Sequence, residues 1–132
     1  MRDIQQVLER WGAWASLSTD IGWSPIAAGF KGLIPPSNKS RLSCSDNDGI
    51  IIDGAVGRLK AVRQPEELNL IMLHYVYGLS KREIGRRLKL NEARIRQQMQ
   101  VAEGFIDGCL SIVDVVLEMD SYTQKINVCA AA

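Results

Sequence analysis

The sequence has little of what most chemistries need. It holds one histidine, His74, and three cysteines, Cys44, Cys109 and Cys129. The cysteine count is odd and no CxxC pair occurs, so a disulfide framework is not expected. A four-ligand zinc site would need all three cysteines and His74 to converge from scattered positions, which argues against a metal. No apolar run approaches the roughly 18 residues that span a bilayer. The first residues, Met1-Arg2-Asp3-Ile4-Gln5-Gln6, lack the long apolar segment of a secretory signal. Net charge is only +1, so composition does not announce a nucleic-acid partner. There is no Gly-rich phosphate loop and no nucleophile–base pair around His74, which argues against an enzyme and against a cofactor. Asp46, Asp48 and Asp53 lack the spacing and the closing glutamate of a calcium loop. A soluble, cytoplasmic, non-catalytic protein is the expectation.

What is present is helical patterning. The 132 residues, 46% of them hydrophobic, suit one compact domain. Ile4, Val7, Leu8, Trp11 and Ala15 recur at three- and four-residue steps, which predicts an amphipathic helix over Asp3 to Ser16 with Asp3 as its cap. Residues 19–48 break the pattern with Pro25, Gly29, Gly32, Pro35 and Pro36, and read as an irregular Pro/Gly-rich segment. Asp48 is expected to cap a second helix through Ile51, Ile52, Val56, Leu59 and Val62, stopped at Gln64-Pro65. Pro65 suits the first turn of a third helix, with Leu68, Ile71, Met72 and Tyr75 on one stripe and Gly78 at its end. Ser80-Lys81-Arg82-Glu83 has the capping-box pattern and predicts a short fourth helix to Leu88. Asn91 caps a long fifth, with Ile95, Met99, Ala102, Ile106, Leu110, Val113 and Leu117 along one face. No strand-like alternation appears, so the fold class is all-α, one helical domain over 1–120 with 121–132 as a flexible tail.

The functional signal lies in the fourth and fifth helices. Ile84, Leu88, Leu90, Ile95 and Met99 would form a small apolar centre, and Gly85 is small where two helices must approach closely. That spacing is the spacing of a helix-turn-helix over about 80–100. Lys89 stands where such turns often carry glycine. Between residues 79 and 96, seven cations (Lys81, Arg82, Arg86, Arg87, Lys89, Arg94, Arg96) face two anions, Glu83 and Glu92, a local net charge of +5. Phosphates attract such a patch whatever the base sequence. Arg94, Arg96, Gln97 and Gln98 can read guanine or adenine edges bidentately, while Asn91 and Glu92 at the helix start suit phosphate or cytosine. The plain alternative is a helical hairpin with a solvated charged face. Arg58, Lys60 and Arg63, and Lys31, Lys39 and Arg41 in the irregular segment, are candidate extensions of the same footprint. Trp11 and Trp23 read as core, and Trp14 as the candidate protein contact. Asp107, Asp114, Glu118 and Asp120 make the end of the chain acidic, which suits a protein partner better than DNA.

Tyr77-Gly78-Leu79-Ser80-Lys81-Arg82-Glu83-Ile84-Gly85 resembles region 4 of σ factors. A longer text resembles the antitermination protein Q family of lambdoid phages and prophages. It includes Arg10-Trp11-Gly12-Ala13-Trp14-Ala15, Trp23-Ser24-Pro25-Ile26-Ala27-Ala28-Gly29-Phe30-Lys31-Gly32-Leu33, Cys44-Ser45-Asp46-Asn47-Asp48-Gly49, His74-Tyr75-Val76, Ala102-Glu103-Gly104-Phe105-Ile106-Asp107-Gly108-Cys109-Leu110 and Leu117-Glu118-Met119-Asp120. The resemblance spans about residues 2–120 and departs over 121–132. It implies a protein that binds double-stranded DNA near a phage late promoter and loads onto RNA polymerase paused just downstream, while σ factor is still present. The modified polymerase would then read through pauses and terminators. Some Q proteins narrow the RNA exit channel, but the family name covers unrelated sequence groups. A simple repressor or activator, or an adaptor for σ or polymerase, are the alternatives on the residues alone.

Overall fold

A computed structural model describes residues 1–17, 42–113 and 115–125. Trp23, Lys31, Lys39, Arg41 and nearly all of the Pro/Gly-rich segment lie outside the described residues. Within them the chain is all-α, and the only β pairing is an isolated bridge between Arg2 and Gln124.

Helix α1 spans Ile4–Leu17 and begins as its sequence predicts, with Asp3 Oδ1 accepting from the Gln5 and Gln6 amides at 3.1 and 3.4 Å. Ile4, Val7, Leu8, Trp11 and Ala15 are buried, as the periodicity requires. Helix α2 spans Asp46–Val62, and here the expected cap is wrong. Ser45 caps it, its Oγ accepting from the Asp48 amide at 3.2 Å. Asp48 is only 1% exposed, and its carboxylate accepts from the Glu118 and Met119 amides at 2.8 and 3.0 Å. A carboxylate three residues past a serine can belong to the helix or to what packs on it; long-range packing decides.

Helix α3, Pro65–Ile71, starts with proline in its first turn and runs into a π-helical segment, Met72–Val76. Its first turn is clamped by Arg63, whose guanidinium donates twice to the buried carboxylate of Glu67, at 3.1 and 2.9 Å. Gly78 then takes φ 77°, the left-handed conformation expected of it. The wider π turn lies against α1 at Gly12, where any Cβ would run into the Tyr75 carbonyl. The Tyr75 hydroxyl donates to the buried Glu103 carboxylate at 2.7 Å. Burial, and then the charge of Glu103, push that phenol far above its usual range.

Helix α4 spans Lys81–Leu88 and α5 spans Glu92–Ile112. Gly104 and Gly108 lie inside α5. The expected apolar stripe holds as far as Leu110; Val113 is 62% exposed, and Leu117 is buried from a separate segment beyond the helix. A 3-10 turn follows at Glu118–Ser121. Part of the expected tail is tied down. Thr123 is buried, its carbonyl accepts from the Asp3 amide at 2.7 Å, and the Lys125 amide donates to Met1 at 2.8 Å. Arg2 donates to both carboxylate oxygens of Asp120 at 2.9 and 3.0 Å, and to the Val115 carbonyl at 3.0 Å. Residues 126–132 lie outside the described residues.

The core is one cluster. Leu8 and Trp11 of α1, Ile52 and Leu59 of α2, Ile71 and Met72 of the third element, and Met99 and Ile106 of α5 are all buried in it. Helix α5 therefore has two roles. From residue 95 to 110 one side of it lines the core, and the opposite side of its first turns is exposed beside α4.

Candidate nucleic-acid interface

Ser80 and Asn91 set where the helix pair begins and turns. Ser80 Oγ accepts from the Glu83 amide at 3.1 Å, and Asn91 Oδ1 accepts from the Ala93 amide at 2.8 Å. Between α4 and α5 the chain reverses over Lys89 and Leu90. Lys89 is left-handed, with φ 57° and ψ 43°, and the Leu90 amide donates to the Gly85 carbonyl at 2.9 Å. Among the described residues it is the only non-glycine with positive φ. A Cβ on Gly85 would sit 2.9 Å from the Leu90 carbonyl oxygen and 3.4 Å from Ile95 Cδ1. The glycine is therefore required by the close approach of the turn to α4, as its position in the sequence suggests.

Ile84, Ile95 and Met99 are fully buried, and Leu88 and Leu90 are partly buried around them. The approach to α4 is braced by His74, whose Nδ1 lies 2.8 Å from the Leu79 carbonyl. Burial pushes this imidazole below its usual pKa, against the smaller opposing effect of that hydrogen bond. His74 is thus a packed residue that fixes the loop before Ser80.

Six of the seven cations are exposed and Lys81 is half-buried, and they are not equivalent. Glu83 gathers two of them: Arg87 Nε lies 2.7 Å from Oε1, and Arg86 meets Oε2. The Arg87 guanidinium, with Arg86 beside it, holds the Glu83 carboxyl below the usual carboxylate range. So only the Ser80 half of the expected capping box forms, and the Glu83 carboxylate turns to the arginines instead. Glu92 gathers two more. Arg96 lies 2.9 Å away on the same helix, and Arg82 of α4 lies 4.0 Å away across the turn. Among the described residues Lys81, Lys89 and Arg94 enter no ion pair, and Arg94 and Lys89 are fully on the surface.

On the first turns of α5, as far as Val101, the exposed residues are Ala93, Arg94, Arg96, Gln97, Gln100 and Val101, with the capping Asn91 also exposed and Gln98 half-buried. At 3.6 residues per turn, Ala93, Gln97 and Val101 follow one line directly opposite Ile95 and Met99, with Arg94 and Arg96 on its two sides. Ala93, Gln100 and Val101 were missed by reading charge alone. The signal that finds Ala93 and Val101 is the four-residue step from Gln97 in either direction; Gln100 lies one three-residue step on. Of the other candidates, Arg58 and Lys60 are exposed on α2, and Arg63 is committed to Glu67. Trp14 is half-buried against Gly49, its indole N–H donating to Asp46 Oδ1 at 2.8 Å.

A model of the phage antitermination protein Q family matches residues 1–118. The chain belongs to that family. It is similar to the probable antitermination protein Q of Acyrthosiphon pisum secondary endosymbiont phage 1, 62% identical over 120 residues, which are 90% of this chain and 81% of that one. It is 45% identical over 127 residues to antitermination protein Q of Escherichia phage 933W, covering 95% and 87% of the two chains. It is 44% identical over 128 residues to the prophage antitermination protein Q homolog QuuD of Escherichia coli strain K12, covering 96% and 100%. No solved structure matches the chain. Membership of the Q family makes the chain a phage antiterminator, a regulator of transcription. Among the described residues no helix is long and apolar enough to cross a membrane.

Proposed function

We propose that this antiterminator binds double-stranded DNA near a phage late promoter through α4 and α5, acting as a σ region 4-like helix-turn-helix, and loads onto RNA polymerase paused beside that site. The polymerase then reads through pauses and terminators. The observation that carries the reading is the outer face of α5: Arg94 and Arg96 flank Gln97 on a helix whose opposite side is sealed by Ile95 and Met99. Such a face can enter a major groove without unpacking anything. Arg94, Arg96 and Gln97 read base edges. Lys81, Arg82, Arg86, Arg87 and Lys89 hold phosphates, with Asn91 and Glu92 at the helix start and Gln98 at the margin. The ion pairs with Glu83 and Glu92 are surface pairs of small net value, so their arginines can be handed to phosphate. Trp14, with σ factor and polymerase as partners in the bacterial cytoplasm, is the contact we assign to the α1 side of the molecule.

The test is transcription through a terminator in a purified system, on templates carrying the cognate or a scrambled late-promoter site. Readthrough on the cognate template alone is the expected result. Binding to the site without any change in readthrough would leave only a simple DNA-bound regulator. Absence of DNA binding at low salt would leave only a protein adaptor.

A further inference from the structure

Between residues 79 and 97 every exposed residue is charged or carries a hydrogen-bonding side chain, except Ala93. Ala93 is the second residue of α5, and its amide donates to Asn91 Oδ1 at 2.8 Å, so the cap pins its position. Its methyl group stands one turn before Gln97, on the line opposite Ile95 and Met99. The polar neighbours are turned elsewhere. Asn91 uses its side-chain oxygen for the cap, and Glu92 holds Arg96 at 2.9 Å and Arg82 at 4.0 Å. Beyond Gln97 the helix has no further lysine or arginine. There Gln100 borders a groove with Asp3, Glu103 and Asp107, against one cation, Lys125. The stretch suited to lie against bases in a phosphate-lined groove therefore runs from residue 93 to 97.

We propose that Ala93 is a specificity-determining residue that reads thymine: its methyl group packs on the C5 methyl of a thymine in the major groove, close to the base met by Gln97. The inference rests on the DNA binding proposed above and names one base that the site must contain. A methyl side chain neither donates nor accepts, so a base edge offering only hydrogen-bonding groups at that point would lose water and gain no partner. Among the four bases only thymine shows the major groove an apolar group, its C5 methyl. Alanine is also short enough to let the start of the helix come close to it. The helix rises about 6 Å from Ala93 to Gln97, near twice the roughly 3.4 Å spacing of bases along a strand. The thymine therefore lies within about two base steps of the base at Gln97. Arg94 and Arg96, on the two sides of the line, take neighbouring hydrogen-bonding edges. A surface alanine can also serve helix propensity alone. Such an alanine would be indifferent to the thymine methyl, and the experiment separates the two roles.

The experiment uses the full chain and a duplex of the late-promoter region made with either thymine or deoxyuridine throughout. Deoxyuridine removes every C5 methyl and leaves the hydrogen-bonding edges and the phosphates in place. A scrambled duplex made both ways corrects for any change in the DNA itself. In anisotropy titrations the wild type should bind the deoxyuridine site about three- to tenfold more weakly than the thymine site, the loss expected from one or two methyl contacts. Ala93→Gly deletes the methyl group; Ala93→Ser replaces it with a polar side chain and keeps the helix start, so its thermal melt should stay within a few degrees of wild type. Both variants should bind the thymine site more weakly than wild type and distinguish the two sites by less than twofold. Equal affinity of the wild type for the two sites overturns the proposal. So does a deoxyuridine loss that both variants keep in full, since another group would then read the methyl. A wild type that binds the thymine site no better than the scrambled duplex sinks the proposed DNA-loading function instead.

Discussion

Replacing Lys89 with glycine should make the protein more stable and a weaker DNA binder, and the opposite signs make the substitution informative. Lys89 stands at φ 57° and ψ 43°. An L side chain in that region costs about 1–2 kcal/mol. Glycine removes the cost but adds unfolded-chain entropy, which returns about 0.5–1 kcal/mol. The net expectation for Lys89→Gly is a gain of about 0.5–1 kcal/mol, or a melting temperature higher by roughly 2–5 °C for a chain of this size. The side chain is exposed and enters no ion pair among the described residues, so no contact within them is lost. Lys89→Ala serves as the control, because alanine loses the charge and keeps the strain. It should melt within roughly 1–2 °C of wild type. Both variants lose one cation, so both should weaken binding to any duplex and reduce the log–log salt slope by about one. Thermal melts by circular dichroism and binding isotherms at several salt concentrations measure the two effects. If Lys89→Gly melts below Lys89→Ala, the turn is not left-handed in solution. If both variants bind DNA as wild type does across the salt series, the turn does not approach phosphate.

Arg94→Ala should cost about 1–3 kcal/mol in specific DNA binding while leaving the melt unchanged, because Arg94 flanks Gln97 and no ion pair holds it among the described residues; footprinting and melting together check this. Asp48→Ala leaves the Glu118 and Met119 amides without their acceptor, and should destabilise the fold by about 1–3 kcal/mol, with Asp48→Asn recovering part of it in a denaturant titration. Arg2 holds the Asp120 carboxyl below the usual carboxylate range. A depressed folded pKa gives stability that is full above the unfolded value near ~3.9 and is lost as pH falls through the folded one. Asp120→Asn should therefore melt lower than wild type at neutral pH, with the gap closing below roughly pH 4; a gap independent of pH would remove the ion pair from the account.

The helices and their caps were legible where the cause is local. Asp3, Ser80 and Asn91 accept from amides two or three residues on, and Gly78 and Gly85 answer constraints set by the nearest turn. Asp48 was misread because a serine three residues earlier competes for the same cap, and only the return of residues 118–119 decides between them. The π-helical segment left no periodic signature, since Leu68, Ile71, Met72 and Tyr75 satisfy an ordinary helical stripe. The close approach of Gly12 to Tyr75 is likewise a contact between distant segments. In the candidate interface, the positions of the cations followed from sequence. Their pairing by Glu83 and Glu92 was available at three- and four-residue spacing for Arg86, Arg87 and Arg96, but not for Arg82, which reaches Glu92 from another helix.

That pairing bears on how the proposed DNA-facing surface would discriminate. Seven unpaired cations would bind any duplex tightly and hold the protein away from its site. With Glu83 and Glu92 each holding two arginines, three of the five cations assigned to phosphate, and Arg96 of the base-reading set, would reach DNA only by giving up a partner already in place. Each such surface pair is worth at most about 1 kcal/mol, so the gain on non-specific duplex is trimmed only modestly below what the charge count implies. In the proposed complex with the correct sequence, Arg94, Arg96 and Gln97 would add base contacts that non-specific duplex cannot return. An antiterminator that loads as proposed, beside one promoter, would need that ratio more than raw affinity. The same economy suits a two-contact loading mechanism. A modest DNA hold at the start of α5 and a modest polymerase hold elsewhere are each too weak alone to occupy the wrong place. Where the site and the paused enzyme lie side by side, the first contact raises the local concentration for the second. The rigid, buried middle of α5 is what would fix the distance between them.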